Sequence, residues 1–306
     1  MGCIRPVLRI VLGGLAIILV YTVLVSILKP KVHASHHQMQ DNVIAAQRYI
    51  YSSSPHPVVV VGSSISTRLR GLPSDYYNLA LGGSSALTGL AIVLREEHQP
   101  PLVLIEANVL RQPDQAFVAK LYNPFLYPLK RYVPSLRDEY HPLNILMSWW
   151  LGGPSSSTNT DSVKSQPQVP RQVLQVAIDD ASVPIDDTFR STAARKLDEM
   201  ERLVHSLVAG KSVPVFYWMP MHPEVSAAST SQYNHRAFLE KFPHTRYHWI
   251  PDPPPDRFQT TDGVHLGGWE ASEYSRYLVS AAESIRIEIS RSGGAEPTTP
   301  ASPPSH

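Results

Sequence analysis

The sequence predicts an α/β protein built on a central parallel sheet and preceded by one transmembrane helix. Three observations carry that expectation. Short, uncharged runs rich in Val, Leu and Ile recur, and each stops at a small or polar residue. Helical stretches lie between those runs, as crossover connections of a parallel sheet require. A longer apolar run fills the first thirty residues.

The N-terminal run comes first in the chain. Residues 1–9 form a short tail, and no charge occurs from Ile10 to Leu28. At about 1.5 Å per residue such a run reaches across a hydrocarbon core of about 30 Å. Arg5 and Arg9 precede it and Lys29 and Lys31 follow it, so the flanking charge is nearly balanced and orients the helix weakly. The run is longer than a signal-peptide core, and lysines separate it from Val32-His33-Ala34. It is therefore read as an uncleaved signal anchor, with a cleaved signal peptide as the alternative. Either reading exports the remaining chain; a domain facing the cytoplasm is the third arrangement that balanced charge permits.

Residues 29–55 read as a juxtamembrane stalk holding a helix over Met39–Tyr51. Pro57–Val61 is a buried strand by its unbroken valine run. Tyr76–Leu81 is a second strand ending at Gly82-Gly83, and a helix follows over Ser84–Glu97. Leu102–Glu106 is a third strand, ending at Ala107-Asn108. From about 117 to 184 the rhythm breaks, with Trp149-Trp150 and a Gly/Ser/Thr/Pro/Gln-rich run, and this segment reads as an inserted cap with a flexible loop. Alternation resumes with a helix over Thr188–Ala209, in which Leu197, Met200, Leu203, Val204 and Leu207 recur at helical spacing and Gly210 stands where a helix ends. Val213–Met219 and Tyr247–Pro251 are the fourth and fifth strands, and Trp269–Ile287 the last helix. The main domain spans 56–287, and the polar 288–306 tail has the composition of a disordered segment.

Composition excludes several classes. With 306 residues, of which 43% are hydrophobic, there is ample material for one sizeable core. A net charge of +1 offers no electrostatic case for nucleic acid. Cys3 is the one cysteine, so no intrachain disulfide can form. His33, His36 and His37 cluster in the stalk, but no acid or cysteine completes a metal site there. No cofactor and no metal is expected.

Two segments carry chemistry. Gly62-Ser63-Ser64 ends the first strand, and Asp262-Gly263-Val264-His265-Leu266 sets an acid and an imidazole three residues apart in a late turn. An acyl-transfer site needs a nucleophile, a base with its orienting acid, and donors for an oxyanion. Ser64 is the expected nucleophile, His265 the base and Asp262 the residue that holds its imidazole. The backbone N–H groups of Ser64 and Gly83 and the Asn108 side chain are the expected oxyanion donors. Bland readings stand beside these: Ser64 as a turn residue or helix cap, Gly83 as a turn glycine, Asn108 as an Asx turn. Ser63 competes as nucleophile and Gly82 as oxyanion donor. Asp262 and His265 lack a third ligand for a metal. Trp149-Trp150 stack on sugar rings in one reading, and pack the cap or rest at a membrane interface in the other.

Gly62-Ser63-Ser64-Ile65, Asn78-Leu79-Ala80-Leu81-Gly82-Gly83, Glu106-Ala107-Asn108 and Asp262-Gly263-Val264-His265 together resemble the ordered blocks of the SGNH (GDSL-type) hydrolase superfamily. The likeness spreads over residues 56–287 and implies a three-layer α/β/α, flavodoxin-like fold. Ser63 stands where the family has Asp, and Glu106-Ala107-Asn108-Val109 replaces its G-x-N-D block. In this the chain is similar to the membrane-anchored bacterial branch that includes alginate O-acetylation and teichoic-acid D-alanyl transfer proteins. That branch implies ester hydrolysis or O-acyl (acetyl) transfer on an acylated cell-envelope glycan or small ester, with a membrane acyltransferase as partner. The substituted blocks motivate the rival expectation of a catalytically inactive glycan-binding or scaffold domain.

Overall fold

The computed structural model describes residues 4–28, 30, 37–151, 169–254 and 257–291. In chain order the elements are α1 (Ile4–Leu28), α2 (Gln38–Ile50), β1 (Val58–Gly62), β2 (Tyr76–Ala80), α3 (Ala86–Val93), β3 (Leu102–Glu106), α4 (Gln115–Leu121), α5 (Leu126–Tyr132) and α6 (Pro142–Leu151). There follow α7 (Arg171–Asp180), α8 (Asp187–Ala209), β4 (Val213–Tyr217), α9 (Pro223–Ser226), α10 (Ser229–Lys241), β5 (His248–Trp249) and α11 (Gly268–Arg291). The chain forms two compact units, Met1–Ser53 with Asp114–Thr160, and Ser54–Pro113 with Asp161–His306.

The second unit is α/β. Its five strands make one sheet in the order β2-β1-β3-β4-β5, and every neighbouring pair is parallel. Val58 to Val61 have no exposed surface, which is why β1 reads as an unbroken apolar run rather than an alternating one. On one face Val58, Val60, Leu104, Val215 and Tyr217 share a core with Tyr274, Leu278 and Ala282 of α11. On the other, Gly89 of α3 sits so close to β1 that a Cβ there would lie 2.9 Å from Val61. Phe216 of β4 meets Phe238 and Phe242 at centroid distances of 6.4 and 4.7 Å. Because β2 and β3 flank β1 on opposite sides, the strand order reverses between β1 and β3, and in open parallel sheets ligands gather at the carboxyl ends of strands at such a point.

Local chemistry sets the element boundaries. The Asp186 carboxylate caps α8 by accepting from the Phe189 N–H at 2.7 Å, and the five apolar residues predicted at helical spacing are all buried. Gly210 closes α8 with φ −79°, and the left-handed residue beyond it is Lys211 at φ 67°. A Cβ on Gly210 would fall 2.0 Å from Gln99 Oε1, the end of a side chain that can swing aside. β5 is shorter than expected, at two residues. Pro251 has no N–H to continue the ladder, although Ile250 N–H still reaches the Phe216 carbonyl at 2.8 Å.

The first unit holds the N-terminal helix. Pro6–Leu28 has a mean hydropathy of 2.7 and is almost wholly exposed, so α1 is long and apolar enough to cross a membrane. Its last turns are held by the segment after α5. The Tyr21 hydroxyl donates to the Tyr140 carbonyl, Thr22 and Ser135 share a hydroxyl hydrogen bond of 2.7 Å, and Val25 is buried. Inside the segment read as a stalk, α2 buries Val43, Ile44, Ala46 and Ile50. It is tied to a 3-10 turn, Asp138–Tyr140, through Gln47 with Asp138 and Arg48 with Glu139 at 2.7 Å. Of the expected insert, α4, α5 and α6 belong to this unit and α7 to the other. Cys3, His33, His36, most of the expected flexible loop and the tail beyond Arg291 lie outside the described residues.

Candidate active site

β1 ends at Gly62, and the chain turns at once into Ser63-Ser64 and a short 3-10 turn, Ser66–Arg68. Ser63 is buried and Ser64 half-buried. The late turn is closed by an antiparallel bridge between Thr260 and Leu266, and by Thr261 N–H donating to the His265 carbonyl at 2.8 Å. Within it Asp262 Oδ1 accepts from the N–H groups of Val264 and His265 at 2.9 and 2.7 Å. Gly263 turns the chain at φ +94°, and a side chain there would also press on Leu174 and Ala177 of α7. The D-G-x-H spacing thus folds Asp262 back onto its own backbone and leaves Oδ2 free to meet the imidazole.

The structure brings Ser64, His265 and Asp262 into one hydrogen-bonded chain. His265 Nε2 lies 3.2 Å from Ser64 Oγ, and His265 Nδ1 lies 2.7 Å from Asp262 Oδ2. Partial burial of Asp262 favours its neutral form. The N–H of His265, its imidazole and the N–H of Val264 outweigh that and hold the carboxyl below its ordinary value. An ionised carboxylate can only accept, so the shared proton rests on Nδ1 and Nε2 is left as acceptor for the Ser64 hydroxyl.

The expected oxyanion donors take distinct places. Among the described residues, neither the Ser64 nor the Gly83 N–H donates to a protein acceptor. Gly83 is exposed at φ +71°, and its carbonyl accepts from Arg111 Nη1 at 2.8 Å. Asn108 pairs with the backbone of Met219 at both ends of its amide. Its Nδ2 donates to the Met219 carbonyl at 2.9 Å and its Oδ1 accepts from the Met219 N–H at 2.7 Å. That pairing joins the ends of β3 and β4 and leaves one Nδ2 hydrogen for a ligand.

Sequence reasoning missed the role of Glu106. It is the last residue of β3, and it is 1% exposed. Its Oε1 accepts from Ser63 Oγ at 2.6 Å, and its Oε2 from the Ser63 N–H at 2.8 Å and from the Ser66 hydroxyl. Ser66 Oγ in turn shares a 2.7 Å hydrogen bond with the Tyr217 hydroxyl. Burial pushes the Glu106 carboxyl up from its usual range, against the pull of the Ser63 and Ser66 hydrogen bonds. Gly62 makes the approach possible, since a Cβ there would stand 2.5 Å from Glu106 Oε2. Ser63 is therefore turned inward to Glu106, while Ser64 meets His265. The signal available in the sequence was one acid closing an otherwise apolar strand.

Among the described residues no group of three or more His, Cys, Asp or Glu side chains is arranged to hold a metal ion. No family model matches this chain, and no curated protein matches it at a significant level.

Proposed function

We propose that this protein is a serine-dependent ester hydrolase or O-acyltransferase of SGNH type, with a three-layer α/β/α domain. The observation that carries the reading is the Ser64–His265–Asp262 chain at 3.2 and 2.7 Å. Ser64 Oγ attacks the ester carbonyl while His265 Nε2 takes its proton, and Asp262 keeps the imidazole oriented. The oxyanion is held by the N–H groups of Ser64 and Gly83, helped by the remaining Asn108 hydrogen. Collapse of the tetrahedral intermediate expels the alcohol, which His265 protonates, and leaves acyl-Ser64. Water or a sugar hydroxyl, deprotonated by His265, then attacks the acyl-Ser64 carbonyl and restores the serine. Water makes the enzyme an esterase and a sugar hydroxyl makes it a transferase.

The substrate class follows from the resemblance of the four blocks: a small acyl group, such as acetyl, on a cell-envelope glycan. α1 anchors the chain in the membrane as a single span, with the catalytic unit extracytoplasmic and a membrane acyltransferase as partner. The test is acetate release from an O-acetylated polysaccharide and from a small aryl acetate by the detergent-solubilised full chain, with a glycan acceptor added in a parallel arm. Turnover lost in Ser64→Ala and in His265→Ala supports the enzyme. Glycan binding by a folded chain with no turnover in any arm favours the inactive scaffold instead.

A further inference from the structure

The first unit exposes more apolar surface than α1 alone accounts for. Phe125, Leu129 and Tyr132, at and along α5, follow one another at helical spacing, and so do Leu143, Leu146 and Trp150 on α6. The exposures of Phe125, Tyr132 and Trp150 are 79%, 80% and 79%, so each ring is offered almost whole to its surroundings. Each stripe is an exposed apolar face of the kind that marks a membrane or partner contact.

Its place beside α1 favours the membrane. These helices belong to the same compact unit as α1, and the link between them grips α1 near its C-terminal end, through Tyr21 with Tyr140 and Thr22 with Ser135. Thr22 stands six residues before Leu28, about 9 Å along the helix axis. Helices lying flat in a bilayer bury their apolar faces to about that depth, 5–10 Å below the surface. The aromatic rings are of the type that settles at the headgroup level. Four basic residues, Lys120, Lys130, Arg131 and Arg137, against the acids Asp138 and Glu139, give residues 120–151 the charge that anionic headgroups attract.

We infer that the exposed faces of α5 and α6 lie in the leaflet that receives the C-terminal end of α1, so that the first unit is a lipid-embedded collar around the span. This rests on α1 spanning the membrane, as proposed above.

The experiment uses the full chain in liposomes containing anionic lipid. Cys3→Ser removes the native thiol, and single nitroxide labels are placed by Leu129→Cys or Leu146→Cys. Ile17→Cys on α1 and Ser191→Cys on α8 are the reference positions. Labels at 129 and 146 should fall below 17, since they lie nearer the headgroups, yet collide with oxygen several-fold more, relative to an aqueous nickel chelate, than the label at 191 does. If 17 reports lipid while 129 and 146 report water, or are shielded from both reagents, the collar is refuted and the anchor stands. If 17 also reports water, the anchor reading fails and the collar falls with it.

Discussion

At Asp262 burial opposes the charge, and three N–H groups overcome it. The carboxyl gives up its proton more readily in the folded chain than in the unfolded one. Below its ordinary value of about 3.8 the unfolded state binds more protons, so the stability Asp262 contributes is present above that pH and is lost as pH falls through the lower folded value. Asp262→Asn should flatten that acid limb in a series of thermal melts. It should also cut ester turnover by about a thousandfold to ten-thousandfold, because the imidazole loses its tautomer. Gly62 makes a separate claim. Gly62→Ala drives a methyl into Glu106 and Ser66, so it should cost about 1–3 kcal/mol in denaturant unfolding and slow acylation of Ser64 as well. Ser64, Asp262 and His265 could be singled out because a short polar motif ends β1 and an acid and an imidazole stand three residues apart in a turn, and the structure brings the three together. Glu106 could not be singled out, because one acid ending an apolar strand looks like a turn residue until the serines that surround it in space are known.

Among the elements, strands were easier to read than their ends. β3 falls where its valine and leucine run predicts, Leu102–Glu106, because strands buried on both faces have uninterrupted apolar sequence. α3 stops at Val93, short of the expected Glu97, and the chain runs on through turns to Pro100 and Pro101. The Gly210 signal marked the right place, although its φ of −79° is one any residue adopts and the left-handed position is the next residue, Lys211. The α8 cap gives a clean test at this scale. Asp186→Ala removes the acceptor for Phe189 N–H and should lower unfolding free energy by about 1 kcal/mol, while leaving the rate of Ser64 acylation unchanged. A change in that rate would mean that α8 is coupled to the site.

For the whole molecule, the sequence made the apolar N-terminal helix and the parallel sheet visible. It did not reveal that Gln38–Ile50 and Asp114–Leu151 join α1 in a unit of their own, because that pairing depends on Gln47 and Arg48 meeting Asp138 and Glu139 some ninety positions away. Orientation is a claim at this scale. A reporter fused after His306 that works only outside the cytoplasm should be active, and activity of a cytoplasmic reporter there would reverse the proposed topology. The central claim, a serine activated by His265, is tested most directly by a covalent probe. The full chain in detergent is treated with a fluorophosphonate and the adduct is located by peptide mass spectrometry. The adduct should sit on Ser64, be absent in Ser64→Ala and form much more slowly in His265→Ala. A folded chain that takes no adduct, or one still modified on Ser63 or elsewhere when Ser64 is alanine, would contradict it.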